Sequence, residues 1–113
     1  MKPGGNVAKG KKLETWIVQW LHNKKLDEQA IRTPGSGSGR FKGDIYTPNL
    51  PIILECKNVK TPHISDWIEQ AQSQTFGYQP WAVLWHPQGK SMEDTVAIVP
   101  LDLFEKLLQK IRT

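Results

Sequence analysis

The run PIILECKNVK, residues 51–60, constrains the fold most, because it opens as a buried β-strand and then carries two charges where further apolar side chains belong. Side chains alternate across a strand, so Ile53, Glu55 and Lys57 share one face while Ile52, Leu54 and Cys56 share the other. Only one of these faces is wholly apolar. The preceding run, Phe41 to Tyr46, reads as a partner strand joined through TPNLP, a turn of hairpin length. On it Lys42 and Asp44 share a face, and Phe41 and Ile45 the other. A hairpin closed through that turn brings Asp44 opposite or diagonal to Glu55.

Two neighbouring carboxylates repel, and partial burial enlarges the cost. A divalent cation between them removes it, and hard oxygen ligands suit Mg²⁺ or Mn²⁺ better than zinc. The carbonyl of Cys56 offers a further ligand. Lys57 then stands beside the cation, where it can hold or polarise a water molecule or offset charge on a phosphate. These are the requirements of phosphodiester hydrolysis.

The remaining segments place this hairpin in one domain. A chain of 113 residues suffices for a single core. Residues 1–10 are expected to form a flexible basic arm, and residues 11–113 one domain. Leu13, Trp16, Ile17, Trp20 and Leu21 follow helical spacing, predicting a helix over about 11–23 with Glu14 at the edge of its buried stripe. A short strand follows at 28–33, then the glycine-rich loop PGSGSGRFKG. A second helix is expected after Pro62, with Ser65 as N-cap, Ile64, Trp67, Ile68 and Ala71 on its apolar side, and an end near Gly77. WAVLW (81–85) and TVAIV (95–99) read as buried strands, and residues 101–111 as a third amphipathic helix. The order is αβββαββα, an α/β or α+β domain with a mixed central sheet flanked by helices.

Charge points to the partner. Residues 1–60 hold eleven Lys and Arg against five acids, whereas residues 61–113 hold four against six. A basic front half suits a polyanion, since each cation near a phosphate releases counterions. Lys9, Lys11, Lys12, Arg40, Lys42 and Lys60 are the expected phosphate contacts, with Ser36 from the loop. The glycine loop lacks the Gly-Lys-Ser/Thr of a P-loop and the spacing of a dinucleotide fingerprint, so no nucleotide cofactor is expected. No apolar run approaches a membrane span and no signal-peptide core follows the N-terminal lysines, so an intracellular, cytoplasmic protein without membrane association is expected. Cys56, the single cysteine, has no partner for a disulfide. His22, His63 and His86 show no metal-ligand spacing. Five tryptophans at apolar positions exceed what one small core needs, and a dimer interface would use the surplus.

Asp44, a short turn, and Glu55-Cys56-Lys57 at the end of an apolar strand resemble the D…ExK motif of the PD-(D/E)xK nuclease superfamily. The order of parts around it is similar to that superfamily's restriction-endonuclease-like core. Lys9-Gly10-Lys11-Lys12-Leu13-Glu14 and the loop RTPGSGSG look most like the small archaeal and phage Holliday-junction resolvases, over roughly residues 9 to 86. The resemblance implies that Glu14, Asp44 and Glu55 bind the metal or orient its water, that Lys57 is the catalytic lysine, and that Ser36 or Ser38 contacts the scissile phosphate. It also implies a bacterial, archaeal or phage-infected host. Gln74 and Tyr78 are similar to a Q-x-x-x-Y motif of some nuclease families, so Gln70 or Gln74 is a possible accessory group, against the commoner reading of solvent-facing amides.

The implied function is a Mg²⁺-dependent endonuclease for branched DNA. A four-way junction has approximate two-fold symmetry, which a homodimer with two active sites would match. The alternatives are a general DNA nuclease of repair or restriction type, a non-catalytic nucleic-acid-binding module in which the carboxylates pair with Lys57 and Lys42, and a protein-interaction subunit.

Overall fold

In the computed structural model the described residues are 3–34, 42–75 and 79–112. The elements run α1 (Pro3–Asn23), β1 (Ile31–Arg32), β2 (Ile45–Tyr46), β3 (Ile53–Lys57), α2 (Ile64–Ser73), β4 (Trp81–Trp85), a 3₁₀ turn (Met92–Asp94), β5 (Val96–Ile98) and α3 (Leu101–Ile111). This is the expected order αβββαββα. The five strands form one sheet in the order β1-β2-β3-β4-β5, with β3 and β4 parallel and the other neighbours antiparallel. The fold is therefore α+β with a mixed sheet, consistent with a restriction-endonuclease-like core.

The parallel pair follows from the chain between its strands. Parallel neighbours need a crossover, and α2 supplies it. β3 and β4 pair from Ile53–Trp81 to Lys57–Trp85 at the centre of the sheet, which is why both runs read as continuously apolar at their start. On one face of the sheet Leu13, Ile17 and Leu21 of α1 pack with Ala30, Ile45, Leu54, Cys56 and Ala82. On the other, Trp67 and Ala71 of α2 pack with Ile53, Trp81 and Val83. The parity read from the sequence is thus realised, with Leu54 and Cys56 under α1 and Ile53 under α2.

Several boundaries differ from the sequence reading. α1 begins at Pro3 rather than near Lys11, so residues 3–10, expected as an arm, extend the helix. Proline fits the first helical turn because its missing N–H would lack an intrahelical partner anyway, while the glycine-rich opening gives periodicity nothing to register. β1 and β2 are two-residue strands instead of six-residue ones, and Phe41 lies outside the described residues. In α2 the cap position is His63, and Ser65 lies inside the first turn, where Trp67 N–H bonds the His63 carbonyl at 3.0 Å. That helix ends at Ser73, while Gly77, its expected terminus, lies outside the described residues.

Beneath the sheet's turns, Asp27 is 2% exposed and accepts hydrogen bonds from the backbone N–H groups of Gln29 and Asn49 and from the Asn49 amide. Burial alone would raise its pKa, but these donors outweigh it and lower it. Asp27 thereby ties the turn after α1 to the β2–β3 turn. Trp67 and Trp81 are buried, and the Trp85 indole stands 5.8 Å from that of Trp67 while donating to the Val59 carbonyl at 3.0 Å. Core packing accounts for these three, whereas Trp20 is 39% exposed. No helix is long and apolar enough to cross a membrane among the described residues.

Candidate active site

Register builds the site. Ile45 pairs with Leu54, both facing α1, and Asp44, just ahead of β2, brings its carboxylate into contact with that of Glu55. The turn into β2 makes this possible. Asp44 N–H bonds the Leu54 carbonyl at 2.7 Å, and Gly43 ahead of it has φ +78°, with no room for a Cβ, which would stand 2.8 Å from that same carbonyl oxygen. Glycine alone fits both demands. The Asp44 carboxylate accepts from the Cys56 N–H at 2.7 Å, locking β2 to β3 at the site.

Gln74, the residue capping the end of α2, closes the site from the other side. Its amide nitrogen donates to Glu55 Oε1, and its carbonyl oxygen accepts from Gly43 N–H at 2.7 Å. One turn earlier, Gln70 accepts from Lys57 Nζ at 2.8 Å. Both amides, given a solvent-facing reading as the commoner one, therefore point at the D…ExK residues. Glutamine is long enough to reach the sheet from a helix face that buries only Trp67 and Ala71. Glu14, at the edge of the α1 stripe, is held by Arg32 at 3.0 Å. Nothing in the sequence marks Arg32 for this beyond its place ahead of the glycine loop.

The electrostatics follow from burial without enough positive charge. Glu55 is 2% exposed and its pKa is pushed up to about 8, first by burial and then by the charge of Asp44 and a hydrogen bond with it, against the opposing Gln74 and Lys57. Glu14 is also raised, by burial first, with Asp44 adding and Arg32 opposing. The Cys56 thiol is pushed well above its ordinary value by burial and by the three surrounding carboxylates. It is a packed group, not a reactive thiolate. Thr33, which bonds Asp44 through its backbone, keeps a buried hydroxyl oxygen with no hydrogen-bond partner among the described residues.

A divalent cation fits this donor set. Asp44 and Glu55 bring two hard-oxygen carboxylates together, the charge of Asp44 helping to raise the Glu55 pKa, and a cation held between them would offset that charge. Among the described residues no three His, Cys, Asp or Glu side chains are grouped as a metal-holding set, and Glu14 is engaged by Arg32.

The basic residues divide. Lys9, Lys57, Lys60 and His63 line one groove of about 480 Å³, whereas Lys42 borders a separate cleft beside Ile45 and Tyr46. Lys11 and Lys12 are exposed on α1. Ser36, Ser38 and Arg40 lie outside the described residues, as does Tyr78. The groove owes its shape to a network that motif reading missed. Buried His86 meets the Asn58 side-chain oxygen and the Lys90 carbonyl, each at 2.7 Å, its N–H bonds the Lys57 carbonyl, and the Asn58 amide donates to the Lys9 carbonyl. His22 meets the Ala30 carbonyl at 2.8 Å. Both histidines serve packing, as their scattered positions suggested.

A mixed sheet with α2 as crossover, an aspartate beside the glutamate of an ExK strand, and helices on both faces define a PD-(D/E)xK nuclease core. A family model described as "phage putative PDDEXK endonuclease" matches residues 5–107, and the chain belongs to that family. No curated protein and no solved structure matches it.

Proposed function

We propose that this protein is a divalent-metal-dependent endodeoxyribonuclease that cuts branched DNA, of the four-way-junction type. The observation that supports the chemistry is the contact between the Asp44 and Glu55 carboxylates beside β3, with Lys57 further along the same strand and face as Glu55. A Mg²⁺ or Mn²⁺ ion held by Asp44, Glu55 and the Cys56 carbonyl would supply Lewis-acid neutralisation of charge on the phosphate. Lys57, oriented by Gln70, holds the attacking water in line with the phosphorus. Gln74 fixes the Glu55 carboxylate relative to Gly43. Glu14 can orient water from the edge of α1 once it leaves Arg32, and a loop serine, Ser36 or Ser38, contacts the scissile phosphate.

Lys9 and Lys60 continue the groove away from Lys57 and would track a DNA backbone without reading sequence. Lys11, Lys12, Arg40 and Lys42 extend that footprint. A two-fold junction calls for two such sites, hence a dimer. An intracellular setting, where DNA is the polyanion at hand, accords with this chemistry.

The test is cleavage of a synthetic four-way junction with and without Mg²⁺, beside linear duplex, for the parent chain and Glu55→Ala. Metal-dependent cutting of the junction in preference to duplex, lost in Glu55→Ala, is expected. Equal cutting of both substrates would leave a general DNA nuclease. Salt-sensitive binding with no cutting by either protein would mean a binding module.

A further inference from the structure

His86 does more than pack. It follows β4 directly, and its backbone N–H bonds the Lys57 carbonyl at 2.9 Å, so the ring stands at the end of the strand pair that carries Lys57. The turn over 87–90, closed by Lys90 N–H on the Pro87 carbonyl with Gly89 at φ +87°, folds the Lys90 carbonyl back onto the ring at 2.7 Å. On its other side the ring meets Asn58 Oδ1 at 2.7 Å, and the Asn58 amide nitrogen donates to the Lys9 carbonyl of α1 at 2.8 Å.

This chain of contacts is one donor short. Three links join two backbone carbonyls, Lys9 and Lys90, through two relays, Asn58 and His86. A carbonyl only accepts, while a side-chain amide or a neutral imidazole presents one donor end and one acceptor end. Two neutral relays supply two donors for three links, and turning the Asn58 amide over moves the gap without closing it. All three links form only when the ring donates from both nitrogens, as an imidazolium.

The surroundings decide when that proton is held. The ring is 9% exposed, and Lys9 on α1, Lys57 on β3, Lys60 beyond it and His63 ahead of α2 line the adjoining groove with no acid among them. Carboxylates of the neighbouring elements are engaged or turned elsewhere: Arg32 holds Glu14, Gln74 holds Glu55, Asp94 accepts from Ser91, Glu93 lines the cleft of Trp16 and Trp20, and Asp66 is exposed. Burial and the cations work against an extra proton; a phosphate backbone in the groove works for it.

We propose that His86 is a positioning residue for DNA: a backbone lying in the groove draws a proton from solvent onto the ring, which completes the link from Lys9 to Lys90 and fixes α1 against the strand that carries Lys57. The clasp rests on the DNA-binding reading above, though not on cleavage.

The test uses the full chain carrying Glu55→Gln, in EDTA, so that a synthetic four-way junction is not cut and Glu55, raised to about 8, does not titrate in the window measured. At constant ionic strength, the dissociation constant should rise about tenfold or more from pH 6 to pH 8, within the limit of about tenfold per pH unit that one proton sets. Adding His63→Ala should leave that slope in place. Adding His86→Gln, neutral throughout, should reduce the change to less than about threefold. Ring-nitrogen NMR shifts should show both His86 nitrogens protonated in the complex at pH 6 and one bare in the free chain at pH 8, a reading that needs no substitution at His86. A bare ring nitrogen in the complex at pH 6 overturns the clasp, as does a folded His86→Gln variant that keeps the slope. Absence of junction binding at either pH removes the nuclease reading and the clasp together, whereas binding with a neutral ring removes the clasp alone.

Discussion

The Asp44 carboxylate accepts a hydrogen bond from the backbone N–H of Cys56 at 2.7 Å, so the residue whose side chain meets Glu55 also ties down the strand that carries Glu55. Charge and register can be separated by substitution. Asp44→Asn keeps an oxygen to accept from Cys56 but removes the charge. Its melting temperature should equal or exceed that of the parent at pH 7.5, while metal-dependent cleavage falls by about 10³ or more. Asp44→Ala loses the acceptor as well and should be about 1–2 kcal/mol less stable in urea unfolding. If both variants unfold alike, the hydrogen bond does not hold the register.

Gln74 bridges Glu55 and Gly43, and its two contacts use opposite ends of one amide. Gln74→Ala should cost about 1–2 kcal/mol of stability and lower cleavage about tenfold, with little change in DNA affinity. Gln74→Glu keeps the acceptor for Gly43 but sets a third carboxylate beside the pair, and should be the more damaging at pH 8. A fully active Gln74→Ala would show the bridge to be packing alone.

Much of this site was legible because strand parity and hairpin register are strict. The alternation along residues 53–57 placed Glu55 and Lys57 on one face, and the TPNLP hairpin brought Asp44 beside Glu55, where their side chains interact. α3 was legible to its bounds, since its apolar spacing is regular and Pro100 precedes it. That its stripe would face outward was not legible, because periodicity reports that a helix has an apolar face without saying what covers it. Contacts between distant segments were also hidden. Arg32 on Glu14, Asn49 on Asp27 and His86 on Asn58 join residues with no shared local pattern, and they exist only once the sheet has brought the turns together.

Gly43 was read as one glycine of a permissive loop, and its requirement is sharper. A Cβ there would stand 2.8 Å from Leu54 O and 3.1 Å from Leu54 N, at φ +78°. Gly43→Ala must shift the chain just ahead of Asp44. It should destabilise the fold by about 2–4 kcal/mol and reduce cleavage more than Gln74→Ala does. Thermal unfolding and junction cleavage measured on the same preparation would check both, and a melting temperature within a degree or two of the parent would contradict the close approach.

The Glu55 carboxyl, raised from 4.5 to about 8 by burial and by Asp44, makes stability depend on pH in an unusual direction for an acid. Between those values the folded chain keeps a proton that the unfolded chain has released, so the stabilisation is complete below about 4.5 and lost as pH rises through about 8. Without metal, the melting temperature should fall from pH 5.5 to 8.5, with a loss from this group of about 3 kcal/mol. Glu14, also raised, acts in the same direction, while Asp27, lowered, contributes evenly above the ordinary carboxylate range. Glu55→Gln should remove most of the slope. If Mn²⁺ binds in place of that proton, it should raise the melting temperature more at pH 8 than at pH 6. A parent whose stability is flat across this window, or a slope unchanged in Glu55→Gln, would show that the carboxylate pair does not share a proton.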